Sequence, residues 1–223
     1  MVRALLVHWR LKLLLSLAFN AFFWSGYELL GRYAFFPLQA VLLTWFDRII
    51  PFQPAFWGWI YLSQFSFTNL LPWFLTTRDE VIRCTTGLAV MTLISFAIFL
   101  VFPIPPPIRP SGSGGHLSMA IIAAYDGSFT CLPSLHAAFL CYMAALAWRL
   151  FAKLMPLLGW ALCALWATGI LYATLATRQH YALDLVAGVA VGGFSYWLAW
   201  RGSDKARATM FWSNPVAPQE GSR

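Results

Sequence analysis

Apolar residues run along this chain in long, nearly uninterrupted blocks, and charged residues are confined to the gaps between them. A bilayer core about 30 Å thick needs roughly 20 consecutive apolar residues per helix. Six stretches reach that length or come close: Leu13–Leu30, Ala55–Leu75, Thr85–Phe102, Leu135–Phe151, Met155–Ala176 and Tyr181–Trp200. The fourth is the shortest, and its helix can begin inside the preceding loop. Ala34–Phe46 is apolar but covers only about two-thirds of a span; with Pro37 and Trp45 it reads as an interfacial or re-entrant piece. The pattern predicts an all-α fold, an integral membrane bundle of six transmembrane helices. Residues 1–202 form one membrane domain without internal repeats, followed by a polar tail over 203–223. A signal peptide is the competing reading of Met1–Ser25, where Arg3, Arg10 and Lys12 precede the first apolar run. That run continues past Trp24 and Tyr27 with no small-residue cleavage pattern, which favours an uncleaved first span.

Composition strengthens the membrane reading and adds an orientation. Of the 223 residues 60% are hydrophobic and 10% charged, against about 25% charged in soluble domains. With six spans, one side holds eleven cations: Arg3, Arg10, Lys12, Arg78, Arg83, Arg149, Lys153, Arg201, Lys205, Arg207 and Arg223. The other holds four: Arg32, Arg48, Arg109 and Arg178. The positive-inside rule puts the richer side, and with it the N and C termini, in the cytoplasm. The net charge of +7 is then mostly a topology signal. Cations scattered among short loops make no nucleic-acid surface, so no nucleic-acid partner is expected. The cysteines Cys84, Cys131, Cys141 and Cys163 fall on opposite sides or inside spans, and no CxxC or Cys/His zinc spacing occurs. Neither a disulfide, a metal nor a cofactor is predicted.

Chemistry concentrates in segments that flank the later spans. The third span runs into Val101-Phe-Pro-Ile-Pro-Pro-Pro-Ile-Arg-Pro110. Prolines stop that helix and stiffen the exit, holding Arg109 at the membrane surface, where its fork of donors suits a phosphate. A rigid turn with an Arg on lipid head groups is the plainer reading. Ser111–Thr130 follows as a glycine-bearing loop over the mouth of the bundle, a candidate lid or acceptor-binding loop. Of its polar residues, His116 has no patterned partner, and Asp126 carries no assigned role. Pro133-Ser-Leu-His136 opens the fourth span: Ser134 is placed to cap it, and a helix N-terminus suits an anion. His136, in the first turn, could protonate a leaving oxygen; a capping Ser beside an interfacial His is the alternative.

The strongest signal is Thr177-Arg-Gln-His-Tyr-Ala-Leu-Asp184, which two crossings return to the membrane face of His136. His180 and Asp184 are four apart and share a helix face. The carboxylate is expected to accept from one imidazole nitrogen, fix the tautomer and leave the other free to attack phosphorus. An Asp inside a membrane helix is costly and implies a partner. A structural His–Asp staple is the alternative. Arg178 could supply a second cation to the phosphate, or simply snorkel at the bilayer edge. Glu28 and Arg32 read as an intrahelical ion pair, and Asn20, Gln64 and Asn69 as interhelical hydrogen bonders. The twelve tryptophans sit mostly near predicted span ends, as an aromatic belt requires.

These segments, over residues 101–192, resemble the type-2 phosphatidic acid phosphatase superfamily of membrane lipid phosphatases and phosphotransferases. The family pattern is Lys-x6-Arg-Pro, Pro-Ser-Gly-His and Ser-Arg-x5-His-x3-Asp. Here it stands as Arg109-Pro110, Pro133-Ser134-Leu135-His136 and His180-x3-Asp184 followed by Gly188. The resemblance implies His180 as the nucleophile forming a phosphoenzyme, Asp184 as its orienting partner and His136 as the general acid. It further implies Arg109 and Ser134 as phosphate binders, and no metal. Phe102 stands where the first Lys would be, Leu135 replaces Gly, and Ala173-Thr174 replace Ser-Arg. Arg178 is the candidate substitute for a missing cation. The variant motifs look more like the branch containing inositol phosphorylceramide synthases and related head-group transferases, although short members of that branch are also called lipid phosphatases.

The expected activity is removal of phosphate from a lipid phosphate or diphosphate at the extracytoplasmic face. The alternatives are transfer of a phosphorylated head group to a lipid hydroxyl, and a non-catalytic lipid-binding or transport protein with a degenerate site. Lipid phosphates, phospholipids and the surrounding membrane lipids are the expected partners; oligomeric state is open. Short loops favour a bacterial inner membrane with the site facing the periplasm, with a lumen-facing site in a eukaryotic secretory membrane as the alternative.

Overall fold

A computed structural model describes residues 2–110 and 115–202. The expected polar tail at 203–223 and residues 111–114 of the loop lie outside the described residues. A short α1 (Val2–Leu6) precedes α2 (Trp9–Arg32), and α3 (Trp45–Ile49) precedes α4 (Pro54–Leu70), which a 3-10 turn at Leu71–Phe74 extends. Then come α5 (Arg78–Val101), α6 (Leu117–Tyr125), α7 (Leu135–Phe151), α8 (Leu157–Ala176) and α9 (Ala182–Trp200). Among the described residues there is no strand, only an isolated bridge between Ile104 and Thr130.

Helices α2, α5, α8 and α9 are long and apolar enough to cross a membrane. Helix α7 coincides with the predicted fourth span, and its 17 residues make it shorter than these four. Helix α4 also has 17 residues and carries Ser63, Gln64, Ser66, Thr68 and Asn69. Helix α5 begins earlier than the predicted Thr85, because Thr77 and Glu80 form a capping box that starts it at Arg78. Between α2 and α3 the chain is irregular, with Leu42 and Leu43 exposed, so Ala34–Phe46 is not a span. The loop expected over Ser111–Thr130 contains helix α6, whose Met119 and Ile122 pack against Tyr61 and Ala173.

Helix α7 is the centre of the bundle: Tyr142, Met143 and Leu146 are fully buried, and its main partner is α9. Membrane helices associate through close backbone approach at small residues. Gly188 and Gly192 of α9 provide it against Ala137 and Ala138 of α7. A Cβ at Gly188 would stand 2.9 Å from the Ala137 Cβ, and one at Gly192 would press on the Ala138 carbonyl oxygen and stand 2.9 Å from the Ala138 Cα. The outward faces of α2, α8 and α9 instead expose Leu14, Leu17, Leu158, Leu165, Val186 and Trp197, a surface that suits lipid rather than water. Glu28 and Arg32 form the expected ion pair. Asn20 donates to Asn69 across α2 and α4 at 3.3 Å, and Gln64 donates to the His136 carbonyl at 2.7 Å.

Candidate active site

The C-terminal ends of α5 and α8 meet the N-terminal ends of α7 and α9 at one end of the bundle. Ser134 caps α7, its hydroxyl accepting from the Ala137 N–H at 3.3 Å. The Ser134 N–H donates to the Asp184 carbonyl at 2.9 Å, tying the two candidate segments together through backbone. Helix α8 stops at Ala176, where the Thr177 hydroxyl turns back to the Ala173 carbonyl at 2.7 Å. Arg178 follows at φ +54°, in the left-handed region. That reversal brings the N–H groups of Gln179 and His180 onto the Thr174 carbonyl at 3.0 and 3.3 Å, as at many helix C-termini.

His180 is buried at this junction, and its Nδ1 lies 3.0 Å from the Cys131 carbonyl. A carbonyl only accepts, so this contact places the proton on Nδ1 and leaves Nε2 with its lone pair. Asp184 Oδ2 stands 3.7 Å from the same Nδ1. The expected imidazole–carboxylate hydrogen bond is thus taken by the Cys131 carbonyl. The reason is local: Asp184 Oδ2 caps the start of α9, accepting from the Tyr181 N–H at 2.8 Å. Asp184 is fully buried, and its Oδ1 has no hydrogen-bond partner among the described residues. Its remaining compensation is the imidazole beside it.

His136 faces His180 with ring centroids 6.0 Å apart. On its other side Tyr61 stacks at 3.9 Å and Phe65 meets it edge-on at 5.6 Å, so α4 supplies an aromatic cage. Arg109 joins the cluster: its Nη2 donates to Gln179 Oε1 at 2.6 Å and its Nε to the Arg178 carbonyl at 3.4 Å. Arg178 does not join it. Its guanidinium donates to the Asp47 and Ile50 carbonyls at 2.9 and 3.4 Å, capping the end of α3. His116 is exposed at the start of α6.

Several residues in and around the site have no sequence pattern that singles them out. Asp126 follows α6 and accepts from the Tyr27 hydroxyl at 2.6 Å and the Tyr61 hydroxyl at 3.3 Å. Burial pushes its carboxyl above the ordinary value, and His180, the Tyr27 hydroxyl and Arg109 pull it back. Gln179, buried beside His180, carries Arg109. Asp47 of α3 accepts from the Thr44 N–H at 2.7 Å and from the Ala182 N–H at 2.8 Å, bracing the first turn of α9. The one available signal for Asp126 is a lone acid ending an apolar run, Ile121-Ile-Ala-Ala-Tyr125.

Phe102, Leu135 and Thr174 stand where the sequence departs from the resembled pattern. Phe102 is exposed at the end of α5. Thr174 is fully buried and gives its carbonyl to the turn that carries His180. Leu135 is buried in the core. Cys131, His180 and Asp184 could offer a metal three ligand atoms within 4.8 Å of one another. Burial pushes the Cys131 thiol well above its ordinary value, and Asp184 and Asp126 add to the shift. Its sulfur donates to the Gln179 carbonyl at 3.3 Å.

The PAP2 superfamily matches this chain over residues 32–198. No curated protein and no solved structure matches it.

Proposed function

Because the chain belongs to the PAP2 superfamily, the source of its phosphatase-type chemistry, we propose that it is a membrane-embedded lipid phosphatase working through a phosphohistidine on His180. The observation that carries this reading is the Nδ1 contact of His180 with the Cys131 carbonyl at 3.0 Å, which leaves Nε2 free. The Nε2 lone pair attacks phosphorus, the bond to the lipid oxygen breaks, and His136, protonated alongside the bound anionic phosphate, passes its proton to that oxygen. Water then attacks phosphorus and gives a proton to His136, and the N–P bond breaks with its electron pair returning to Nε2. Arg109, Ser134 and the open N–H groups at the start of α7 bind the phosphate. The buried Asp184 carboxylate offsets positive charge as the imidazole becomes phosphorylated. The substrate is a lipid phosphate or diphosphate. Six spans, cytoplasmic termini and an extracytoplasmic site in a bacterial inner membrane complete the proposal.

One observation favours a second reading, transfer of a phosphorylated head group to a lipid hydroxyl. The Phe102 and Thr174 positions carry no cation, and Arg178 is occupied by α3. A phosphodiester donor carries less negative charge than a monoester and needs fewer cations. Phosphate release by wild type and His180→Ala across a panel of lipid phosphates and diphosphates tests the first reading. Release that disappears in the variant supports it. Equal release by both proteins overturns the assignment of His180, and no release from folded wild type moves the assay to diester donors with hydroxyl acceptors.

A further inference from the structure

A partly open groove with a cavity volume of about 90 Å³ runs between α2, α4, α6 and α7 and reaches His136. Its walls are largely aromatic, with Phe19, Phe23, Phe65 and Phe139, and Asn20, Gln64, Thr68 and Asn69 of α2 and α4 also line it. Its inner end is polar, formed by Tyr27, Tyr61, Asp126 and His136. No Lys or Arg is among the described residues that line it. Resting on the reading that His136 exchanges a proton with a lipid oxygen, we propose that this groove binds one chain of the lipid alcohol, with the alcohol hydroxyl donating to Asp126.

Charge and hydrogen-bonding capacity decide between an alcohol and a phosphate in this place. Asp126 takes one donor on each oxygen, Tyr27 on Oδ1 and Tyr61 on Oδ2. A carboxylate has about four lone-pair sites, so room is left for an O–H donor. Within the groove a phosphate would meet the Asp126 carboxylate, and the cation that eases this carboxyl, Arg109, lies outside the lining and is held by Gln179. The place of the phosphate is beside Arg109, which rests on Gln179 and does not line the groove. The Tyr61 ring joins both halves, since its hydroxyl is on Asp126 and its face is on His136 at 3.9 Å. When the phosphorus–oxygen bond breaks, the proton moves from His136 to the lipid oxygen, and the new hydroxyl turns to Asp126. In a transfer reaction the same alcohol gives its proton to His136, its oxygen attacks phosphorus, and the N–P bond breaks.

The test uses the full-length His180→Ala protein, so binding is read without turnover. A long-chain alcohol bearing a diazirine is photo-crosslinked and the labelled peptides are mapped. Label on the groove faces of α2 and α4 is expected. The unmodified alcohol should protect about tenfold better than its methyl ether, the scale of one hydrogen bond to a charged group. Adding Asp126→Asn should bring alcohol and ether toward parity, and Leu62→Trp, which narrows the groove wall, should remove the label. Equal protection by alcohol and ether without Asp126→Asn, label outside the groove, or stronger protection by the alkyl phosphate overturns the proposal. Loss of phosphate release in the wild-type assay concerns the phosphatase reading alone, because these outcomes need no reaction.

Discussion

The imidazole of His180 is held at 3.0 Å by a backbone carbonyl, while the Asp184 carboxylate stands 3.7 Å from the same nitrogen. The tautomer therefore survives Asp184→Asn, and an amide oxygen can still cap the Tyr181 N–H. What the variant loses is negative charge beside a ring that becomes cationic. A fall in kcat of about a hundredfold is expected, the scale of one preorganised electrostatic partner, with KM and thermal stability near wild type. Steady-state kinetics with a melting curve checks this, and a large drop in melting temperature would instead make Asp184 a staple. Asp126 carries the opposite sign. Its raised carboxyl makes ionisation costly in the folded state, so its stability contribution is fullest at acid pH and is lost as pH rises through its folded pKa. Wild type should therefore gain on Asp126→Asn in thermal stability as pH falls from neutral into the carboxylate range. His180, Asp184, Ser134 and His136 were legible because their signal is local: residues four apart, or a first helical turn. Asp126 and the turning-away of Arg178 were not, because both depend on tertiary packing, of α6 on α4 and of α3 on the α8–α9 turn.

At the scale of helices, the approach of α9 to α7 sets the distance between the two halves of the site. Gly188 and Gly192 stand four apart on α9 against Ala137 and Ala138. A methyl group at Gly188 meets Ala137 at 2.9 Å and the Ala138 nitrogen at 3.2 Å, beside the Ser134 carbonyl. Backbone cannot yield as a flexible side chain does, so Gly188→Ala should destabilise by about 1–3 kcal/mol. It should also lower activity by pushing Ser134 and His136 away from His180. Gly193 is the internal control: a Cβ there meets only the Cys141 sulfur at 3.8 Å, so Gly193→Ala should match wild type in both melting temperature and turnover. Long helices were readable from apolar run length because lipid-facing and core-facing positions are both apolar, and α7 fell on Leu135–Phe151. Helix α6 was not, since its nine residues are too few for a span and follow a segment rich in glycine and serine.

For the molecule as a whole, the distribution of cations between its two ends sets which side of the membrane the site faces. The site end, where α2 and α5 finish, α3 lies and α7 and α9 start, carries Arg32, Arg48, Arg109 and Arg178. The opposite end carries Arg10, Lys12, Arg78, Arg83, Arg149, Lys153 and Arg201. Lys12 is fixed there by donating to the Trp73 carbonyl at 2.7 Å, beyond the end of α4. Cationic loops are retained in the cytoplasm during insertion, so the site should open to the exterior. Gly115 and Lys153 are exposed at the two ends and give a reciprocal test. In a background with the four native cysteines replaced, Gly115→Cys should react with an impermeant maleimide in intact cells. Lys153→Cys should react only after permeabilisation. The reverse pattern would place His180 in the cytoplasm and make the substrate a lipid of the inner leaflet, while labelling of both in intact cells would mean that the chain inserts in two orientations.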